Sequence, residues 1–451
     1  MASGSAYQSR IAAEQRFFKD CVDVHNLPEI FHYWSNKYVL PKLQALGFKG
    51  SIEFMIDPIQ WQGERNPGRV IRCLSLGSGN CDQEIRIASQ LRARGFTAFQ
   101  MECLDLNETM LERGQAAATE QGLADNFIFT AGDFNQWRPS AEYDAEYDVV
   151  LAIQALHHVM ELEHLFTAIK DALRPTGVFV VSDMIGRNGH MRWPEALSII
   201  QEFWSRLPPS YRYNNQLKRY EEEFVNWDCS HEGFEGIRAQ DILPLLNSTF
   251  HFERFIAFGN VIDPFVDRGF GHNFNASAEW DRAFIDEIHR RDDEGMRNGT
   301  LKPTHMFAIL RTQDNGPTMS EEPFSPSFCI RPPTSVEPAP SPGPIYAWDE
   351  SVHDKSVELQ TACARLAQAE RRILELTAEL EKRTAWALAL NREYEERTAW
   401  ALELNRLLEI EKSRPALAVT DPGRARRLWR ALQRAAATFR SPSATPTPSR
   451  D

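Results

Sequence analysis

The sequence has no long apolar run. Its longest stretches, such as VFVV at 178–181, fall far short of the roughly 20 residues that a membrane-spanning helix needs. Glu14, Gln15, Arg16 and Lys19 interrupt residues 1–20, so no apolar signal core is present and a cytoplasmic protein is expected. Cysteine is sparse and scattered: seven in 451 residues, none in a C-x-x-C arrangement. That argues against a disulfide scaffold and against structural zinc, and no metal is expected. Basic charge is also scarce, with 50 Lys+Arg against 63 Asp+Glu and a net charge of −13. It is unevenly spread, since residues 419–451 hold seven Arg and two Asp. The rest of the chain is therefore still more acidic, which makes it a poor platform for a nucleic-acid backbone, so no nucleic acid is expected as a partner.

What is present supports a folded core, since 42% of residues are hydrophobic and 25% charged. Residues 1–68 read as helical, with a helix suggested at Ile30–Leu46, and are expected to form a lid. From residue 69 apolar runs alternate with amphipathic stretches. Strands are expected at Val70–Leu76, Ala98–Leu104, Phe127–Thr130, Tyr147–Ile153 and Val178–Ser182. Helices are expected at Glu84–Arg94, Thr109–Gln121 and Leu162–Leu173. Phe252–Phe258 and His305–Leu310 read as two closing strands. This alternation predicts an α/β fold with a mostly parallel seven-stranded sheet covered by helices on both faces. The domain is expected over 69–313, with an insertion at about 184–250.

Residues 314–344 hold nine of the chain's 26 prolines, so a stiff spacer is expected over 314–345. A heptad pattern follows over 350–412, with one seam running Val352, Leu359, Leu366, Ile373, Leu380, Ala387, Tyr394, Ala401, Leu408. RTAWALALNR at 383–392 recurs as RTAWALELNR at 397–406, a spacing of two heptads that keeps register with a supercoil. Self-association through a coiled coil is expected, the alternative being a single helix folded back on the domain. Residues 422–440 set Leu428, Leu432, Ala435 and Phe439 at helical spacing, with Arg426, Arg427, Arg430 and Arg434 on the other faces. Such a helix suits an anionic membrane surface, or is simply a solvated helix end. Residues 441–451 read as a disordered tail.

Four motifs follow one another in order. VIRCLSLGSGNCDQEIRIA at 70–88 runs a strand into Gly77, Ser78 and Gly79, where the backbone can approach a ligand closely. FQMECLDLNETML at 99–111 places Asp105 at a strand end, either as a ribose acceptor or as a helix cap. FIFTAGDFNQW at 127–137 ends a strand in Asp133 and Phe134, an acid beside an apolar cover or an ordinary loop aspartate. YDVVLAIQALHHVMELEHLFTAIKDALRPTGVFVVSD spans 147–183.

In this order and at these intervals, residues 70–183 resemble the class I S-adenosylmethionine-dependent methyltransferases, and the likeness extends to about residue 311. The resemblance implies a Rossmann-like sheet and S-adenosylmethionine as cofactor. It implies that Gly77, Ser78 and Gly79 line the methionine and ribose part and that Asp105 binds the ribose. Leu106, Asp133 and Phe134 would contact the adenine, with Ile153 and Gln154 beside the sulfur. Two residues depart from the family pattern: Ser75 stands where an acid is usual, and Cys81 where a third glycine is usual.

A hydroxyl acceptor needs its proton removed, a task for His or a carboxylate. His157, His158, Asp183 and His190 are the catalytic candidates, because they follow the fourth and fifth strands, where this fold places its acceptor pocket. Arg187, Asn188, Arg192 and Arg238 are the substrate-binding candidates. Trp193 in the same loop suits a sugar or another polyhydroxylated acceptor. His231, Glu232 and Glu235 precede the next helix. Tyr33 or Trp34 would face the sulfonium if HYWSNKYVLPKL at 32–43 folds over the pocket. The expected function is methyl transfer to a small-molecule or glycan hydroxyl. The alternative is a methyltransferase-like scaffold that assembles a partner complex at a membrane. The whole layout looks like bacterial surface-polysaccharide enzymes, some of which join a methyltransferase to a coiled-coil rod and a membrane-seeking helix.

Overall fold

In a computed structural model, the described residues are 2–19, 27–139, 147–231 and 233–332, together with residue 380, most of 382–413, and several positions between 423 and 434. The chain divides into two units, Met1–Gly343 and Pro344–Asp451.

The first unit opens with four helices: α1 (Ala2–Lys19), α2 (Glu29–Trp34), α3 (Leu40–Ala45) and α4 (Ser51–Arg65). The alternating part follows as β1 (Ile71–Leu76), α5 (Asp82–Ala93), β2 (Phe99–Asp105), α6 (Glu108–Glu120), β3 (Phe127–Ala131), β4 (Tyr147–Ile153), α7 (Leu162–Ala172) and β5 (Leu173–Met184). Next come α8 (Pro194–Arg206), a small hairpin of β6 (Tyr213–Asn214) and β7 (Arg219–Tyr220), and α9 (Ala239–Thr249). The unit closes with β8 (His251–Phe258), α10 (Asp263–Val266), α11 (Glu279–Arg297), β9 (His305–Arg311) and α12 (Pro326–Cys329).

The main sheet has seven strands in the order β3-β2-β1-β4-β5-β9-β8. The neighbours from β3 to β5 pair in parallel, whereas β9 runs antiparallel to both β5 and β8. Every side chain of β4 from Tyr147 to Ala152 is buried, as a central strand covered on both faces requires. Strand order reverses between β1 and β4. Right-handed crossovers therefore put α5 and α6 on one face and α7 on the other, and they open a crevice at the carboxyl ends of β1 and β4.

Two expectations change and one helix is added. The helix suggested at Ile30–Leu46 is interrupted by a π-turn at Ser35–Val39. Pro41 follows within the first turn of α3. It has no N–H and its ring crowds the carbonyl four residues back, so the preceding turn widens. Residues 314–331 are not a free spacer: Met319 N donates to Glu253 O at 3.0 Å, Phe324 is buried, and Arg331 pairs with Glu195 at 2.8 Å. The connection between the closing strands also contains α11, whose Phe284, Ile285, Ile288 and Met296 are buried. That spacing is a helical stripe readable from the sequence.

In the second unit, the described residues between 382 and 410 are helical. Leu388, Leu390, Tyr394, Trp400, Leu402 and Leu408 are exposed there. Most of the expected spacer, the first half of the heptad pattern, most of 422–440 and the tail 441–451 lie outside the described residues. No helix among the described residues is long and apolar enough to cross a membrane.

One ion pair anchors the central strand. Asp148 in β4 is fully buried and takes both arms of Arg69, at 2.6 and 2.8 Å, plus the Arg72 N–H at 3.0 Å. Arg69→Ala leaves that carboxylate with Arg174, 3.5 Å away, as its remaining counter-charge. Because Arg69 is partly exposed, urea denaturation should show a loss of about 2–3 kcal/mol rather than the full cost of breaking a buried pair.

Candidate active site

The crevice begins at the turn after β1. Gly77 has φ +64°, and a Cβ there would come within 2.8 Å of the Ala155 Cβ after β4. Only glycine satisfies both constraints, which is why the turn can pass so close to the β4 exit. Gly79 N donates to Asp105 Oδ2 and Asn107 N to Asp105 Oδ1, both at 2.8 Å. The N-cap of α6 is Asn107, whose Oδ1 accepts from Thr109 N at 3.1 Å. Asp105 is thus not the helix cap. Each of its oxygens retains a lone pair beyond those two N–H bonds, enough for two ribose hydroxyls. Burial raises its pKa despite the N–H bonds.

The two departures from the family pattern have structural answers. Ser75 Oγ donates to Glu84 Oε1 at 2.6 Å, so α5 supplies a carboxylate beside the position where the strand lacks one. Cys81 is buried with φ +59°, holding in strained form the left-handed turn that a glycine would take freely.

Asp133 Oδ1 accepts from Asn135 N at 2.9 Å, and Oδ2 accepts from Tyr7 OH at 2.6 Å and Gln136 Nε2 at 3.2 Å. Phe134 lies beside the Gly77 turn. Leu106 is half-buried and its carbonyl accepts from Gln15 Nε2 at 3.3 Å. Ile153 is half-buried, and Gln154 is exposed with φ +53°. Helix α1 therefore lies over this end of the sheet, through Tyr7 and Gln15. Tyr33 and Trp34, expected to face the sulfonium, do something else: Tyr33 OH lies 3.0 Å from the Asp286 carboxylate, and Trp34 Nε1 donates to His289 Nδ1 at 3.3 Å.

The second half of the site is a cluster of imidazoles and carboxylates at the ends of β4 and β5. Asp183 is fully buried. Its Oδ2 accepts from Ala155 N at 2.9 Å and Leu156 N at 2.7 Å, and its Oδ1 from Met184 N at 2.7 Å. The same Oδ1 lies 2.7 Å from His157 Nδ1. The other nitrogen of His157 lies 3.5 Å from Glu235 Oε1. His190 Nε2 is 2.7 Å from that oxygen, and His158 Nε2 is 3.4 Å from Glu235 Oε2. His158 Nδ1 in turn meets Glu14 Oε1 of α1 at 2.7 Å. Gly236 has φ +64°, and a Cβ there would lie 3.0 Å from His190 N, so this glycine lets the Glu235 loop close on His190.

Electrostatics follow the geometry. Burial lowers the pKa of His157, but Asp183 and Glu235 more than offset that and push it up to about 10. Burial would raise Glu235, yet its imidazole neighbours hold it far below the usual carboxylate range. Burial lowers His190.

The structure brings His157, His158, Asp183 and His190 together and adds Glu235 and Glu14. Glu235 was noted in sequence only as one of several polar residues before a helix; its partner His190 stands 45 residues away. The substrate-binding candidates are mostly committed elsewhere. Arg238 makes a two-armed pair with Glu163 at 2.6 and 2.8 Å and also binds Asp241. Arg192 pairs with buried Asp263 at 2.7 Å. Asn188 Oδ1 accepts from Gln240 N at 3.1 Å. Arg187 donates to Arg192 O at 3.2 Å.

Residues 69–225 match a family model described as a methyltransferase domain. Among curated proteins, the chain is 33% identical over 90 residues to a sterol 24-C-methyltransferase of Gibberella zeae, covering 20% of this chain and 23% of that protein. It is 26% identical over 114 residues to the 27-O-demethylrifamycin SV methyltransferase of Amycolatopsis mediterranei, covering 25% of this chain and 39% of that one. The chain thus spans well under half the length of these relatives. Among solved structures, geranyl diphosphate C-methyltransferase of Streptomyces coelicolor aligns with a TM-score of 0.36 at 11% identity, covering 67% of this chain and 98% of that one. The matched segment is a methyltransferase domain of the S-adenosylmethionine-dependent class, and S-adenosylmethionine is its cofactor. The donor set fits that compound: Asp105 keeps acceptor capacity beyond its bonds to Gly79 N and Asn107 N, beside a turn whose glycines carry no side chain.

Glu84 gives this half of the site a pH signature. Burial lifts its pKa to about 7, with the Ser75 hydroxyl pulling the other way. Burial, reinforced by Asp263, lifts Asp292 to about 7 as well. Both folded values exceed the unfolded ones. Their contribution to stability is therefore full below the ordinary carboxyl pKa and is lost as pH rises through about 7. The melting temperature should fall as pH rises from about 5 to 9, Glu84→Gln should shrink that fall, and Glu84→Gln with Asp292→Asn should flatten it further.

Proposed function

We propose that the protein transfers a methyl group from S-adenosylmethionine to a hydroxyl of a small-molecule or glycan acceptor. The observation that carries this reading is the imidazole–carboxylate cluster of His157, His158, His190 and Glu235 beside the glycine cradle. Ala155 joins the two halves, touching Gly77 on one side and donating to Asp183 on the other. An alkene acceptor would call for an apolar, aromatic-lined slot, whereas this cluster offers hydrogen-bonding groups and proton acceptors.

The cofactor supplies a methyl group on a positively charged sulfur, ready for in-line displacement. The chain's residues do the rest. Asp105 and the Gly77–Gly79 turn hold the nucleoside, and Asp133 and Phe134 flank it. Asp183 fixes His157 and the β4 exit in one geometry, so the acceptor oxygen meets the methyl group at a set position. The imidazole cluster takes the hydroxyl proton as the new C–O bond forms. Helix α1, held through Tyr7 and Glu14, covers the site and keeps water out.

Two substitutions separate binding from chemistry. Asp105→Asn keeps the side-chain shape but removes ribose-accepting capacity. Calorimetry should show S-adenosylmethionine affinity falling about tenfold or more, the size of one lost charge-assisted hydrogen bond. His158→Ala should lower labelled-methyl transfer into the acceptor fraction of cell extract by ~100-fold or more, with cofactor affinity within about twofold.

We also propose that the exposed apolar residues of the helix at 382–410 pack against a second copy of the chain as a coiled coil. The two-heptad repeat and the exposure of Leu380, Leu390, Tyr394 and Leu408 support this. Sedimentation should show an oligomer for the full chain and a monomer once residues 350–412 carry Lys at Leu380, Leu390, Leu404 and Leu408. The basic residues of 422–440 are in turn proposed to favour an anionic membrane surface, through Arg426, Arg427, Arg430 and exposed Trp429.

A further inference from the structure

The cluster at the ends of β4 and β5 has a feature that methyl transfer does not require: three donor side chains of metal-ligand type converge on one point. One ligand atom each from His157, His190 and Glu235 all lie within 4.8 Å of one another. We propose that these three residues bind a divalent transition-metal ion, zinc or a first-row neighbour, through both imidazole Nε2 atoms and one Glu235 carboxylate oxygen.

The distances suit such an ion. Bonds of about 2.0–2.1 Å in a tetrahedral arrangement place neighbouring ligand atoms roughly 3.3 Å apart. His157 Nε2 and Glu235 Oε1 are already 3.5 Å apart, and His190 Nε2, now 2.7 Å from that oxygen, has only to draw back by a fraction of an ångström. The surroundings are those of a ligand sphere. Asp183 Oδ1 takes His157 Nδ1 at 2.7 Å, which fixes the ring and turns its Nε2 toward the cluster. Glu14 holds His158 Nδ1 at 2.7 Å in the same way. The His157 and Asp183 side chains are nearly or wholly out of solvent while Glu235 is partly exposed, so a cation there offsets two carboxylates and can be reached from the Glu235 side. Three protein ligands leave a fourth position open, the pattern of a catalytic rather than a structural ion.

The role of the ion rests on the methyl-transfer reading, although its binding does not. With the acceptor hydroxyl in the open position, the cation lowers the pKa of that hydroxyl and holds the resulting oxygen. The proton passes to His158, which is not among the three ligands and has Glu14 behind it. The oxygen's electron pair forms the new C–O bond as the carbon–sulfur bond breaks, and the sulfur leaves as a neutral thioether. No oxidant or further co-reactant is needed.

The test uses the full chain stripped with chelator and titrated with Zn²⁺ in a calorimeter and with Co²⁺ by visible absorption. S-adenosylmethionine binding is measured on the same sample. The expected result is one ion per chain with micromolar or tighter affinity, and Co²⁺ bands of a four-coordinate site. Glu235→Gln and His190→Ala should each weaken that uptake ~100-fold, and Asp183→Asn ~10-fold, with melting temperature and far-ultraviolet dichroism checking the fold. Absence of stoichiometric uptake, or uptake unchanged in both Glu235→Gln and His190→Ala, overturns the proposal. Cofactor binding without metal uptake refutes the cation site alone. Metal uptake without cofactor binding keeps the site and removes the methyl-transfer reading.

Discussion

The buried carboxylate of Asp183 is the constraint on which the rest of the site depends. It lies in the centre of the sheet's carboxyl edge and takes three backbone N–H groups and one imidazole nitrogen. Two of those N–H groups belong to the turn leaving β4. Asp183 thereby fixes the position of Ala155 against Gly77 and the direction of the His157 ring. A carboxylate with no solvent to fall back on tolerates little movement of its partners. One residue near the end of β5 thus sets both the narrowness of the gap between the β1 turn and the β4 exit and the orientation of the His157 ring.

Much of this was legible in the sequence because strands report themselves locally. The glycine turn, Asp105, Asp133 and the double histidine each stand at the end of an apolar run, and a parallel sheet brings such ends to one edge. What was not legible depends on contacts between distant segments. Glu235 meets His190 and His157 only because Gly236 permits a close backbone approach, and no periodic pattern announces that. The acid missing at Ser75 is replaced from the next helix by Glu84, a substitution visible only once α5 is laid beside β1. Arg192 and Arg238 read as substrate contacts, yet each finds an acidic partner within the fold. Pro41 could have signalled the break before α3. The proline-rich stretch after β9 read as a spacer because its composition hides Phe324 and Cys329, which are buried.

Helix α1 changes the sense in which the site is closed. Tyr7 donates to Asp133, Glu14 meets His158, and Arg10 reaches the carbonyls of Ser230 and Gly233. One helix therefore bridges Asp133 at the end of β3 and the imidazole–carboxylate cluster at the ends of β4 and β5. Within the expected lid of residues 1–68, the segment 32–43 instead binds Asp286 and His289 of α11. Glu14 thus joins this helix to the same imidazole cluster that Asp183 holds from the sheet side.

The most direct measurement is a crystal structure of the full chain soaked with S-adenosylhomocysteine. The account predicts density in the crevice between β1 and β4, with the ribose hydroxyls on Asp105 and the sulfur directed past Gln154 toward the imidazole cluster. Density for that compound at another place, with Asp105 still holding only Gly79 and Asn107, would contradict it.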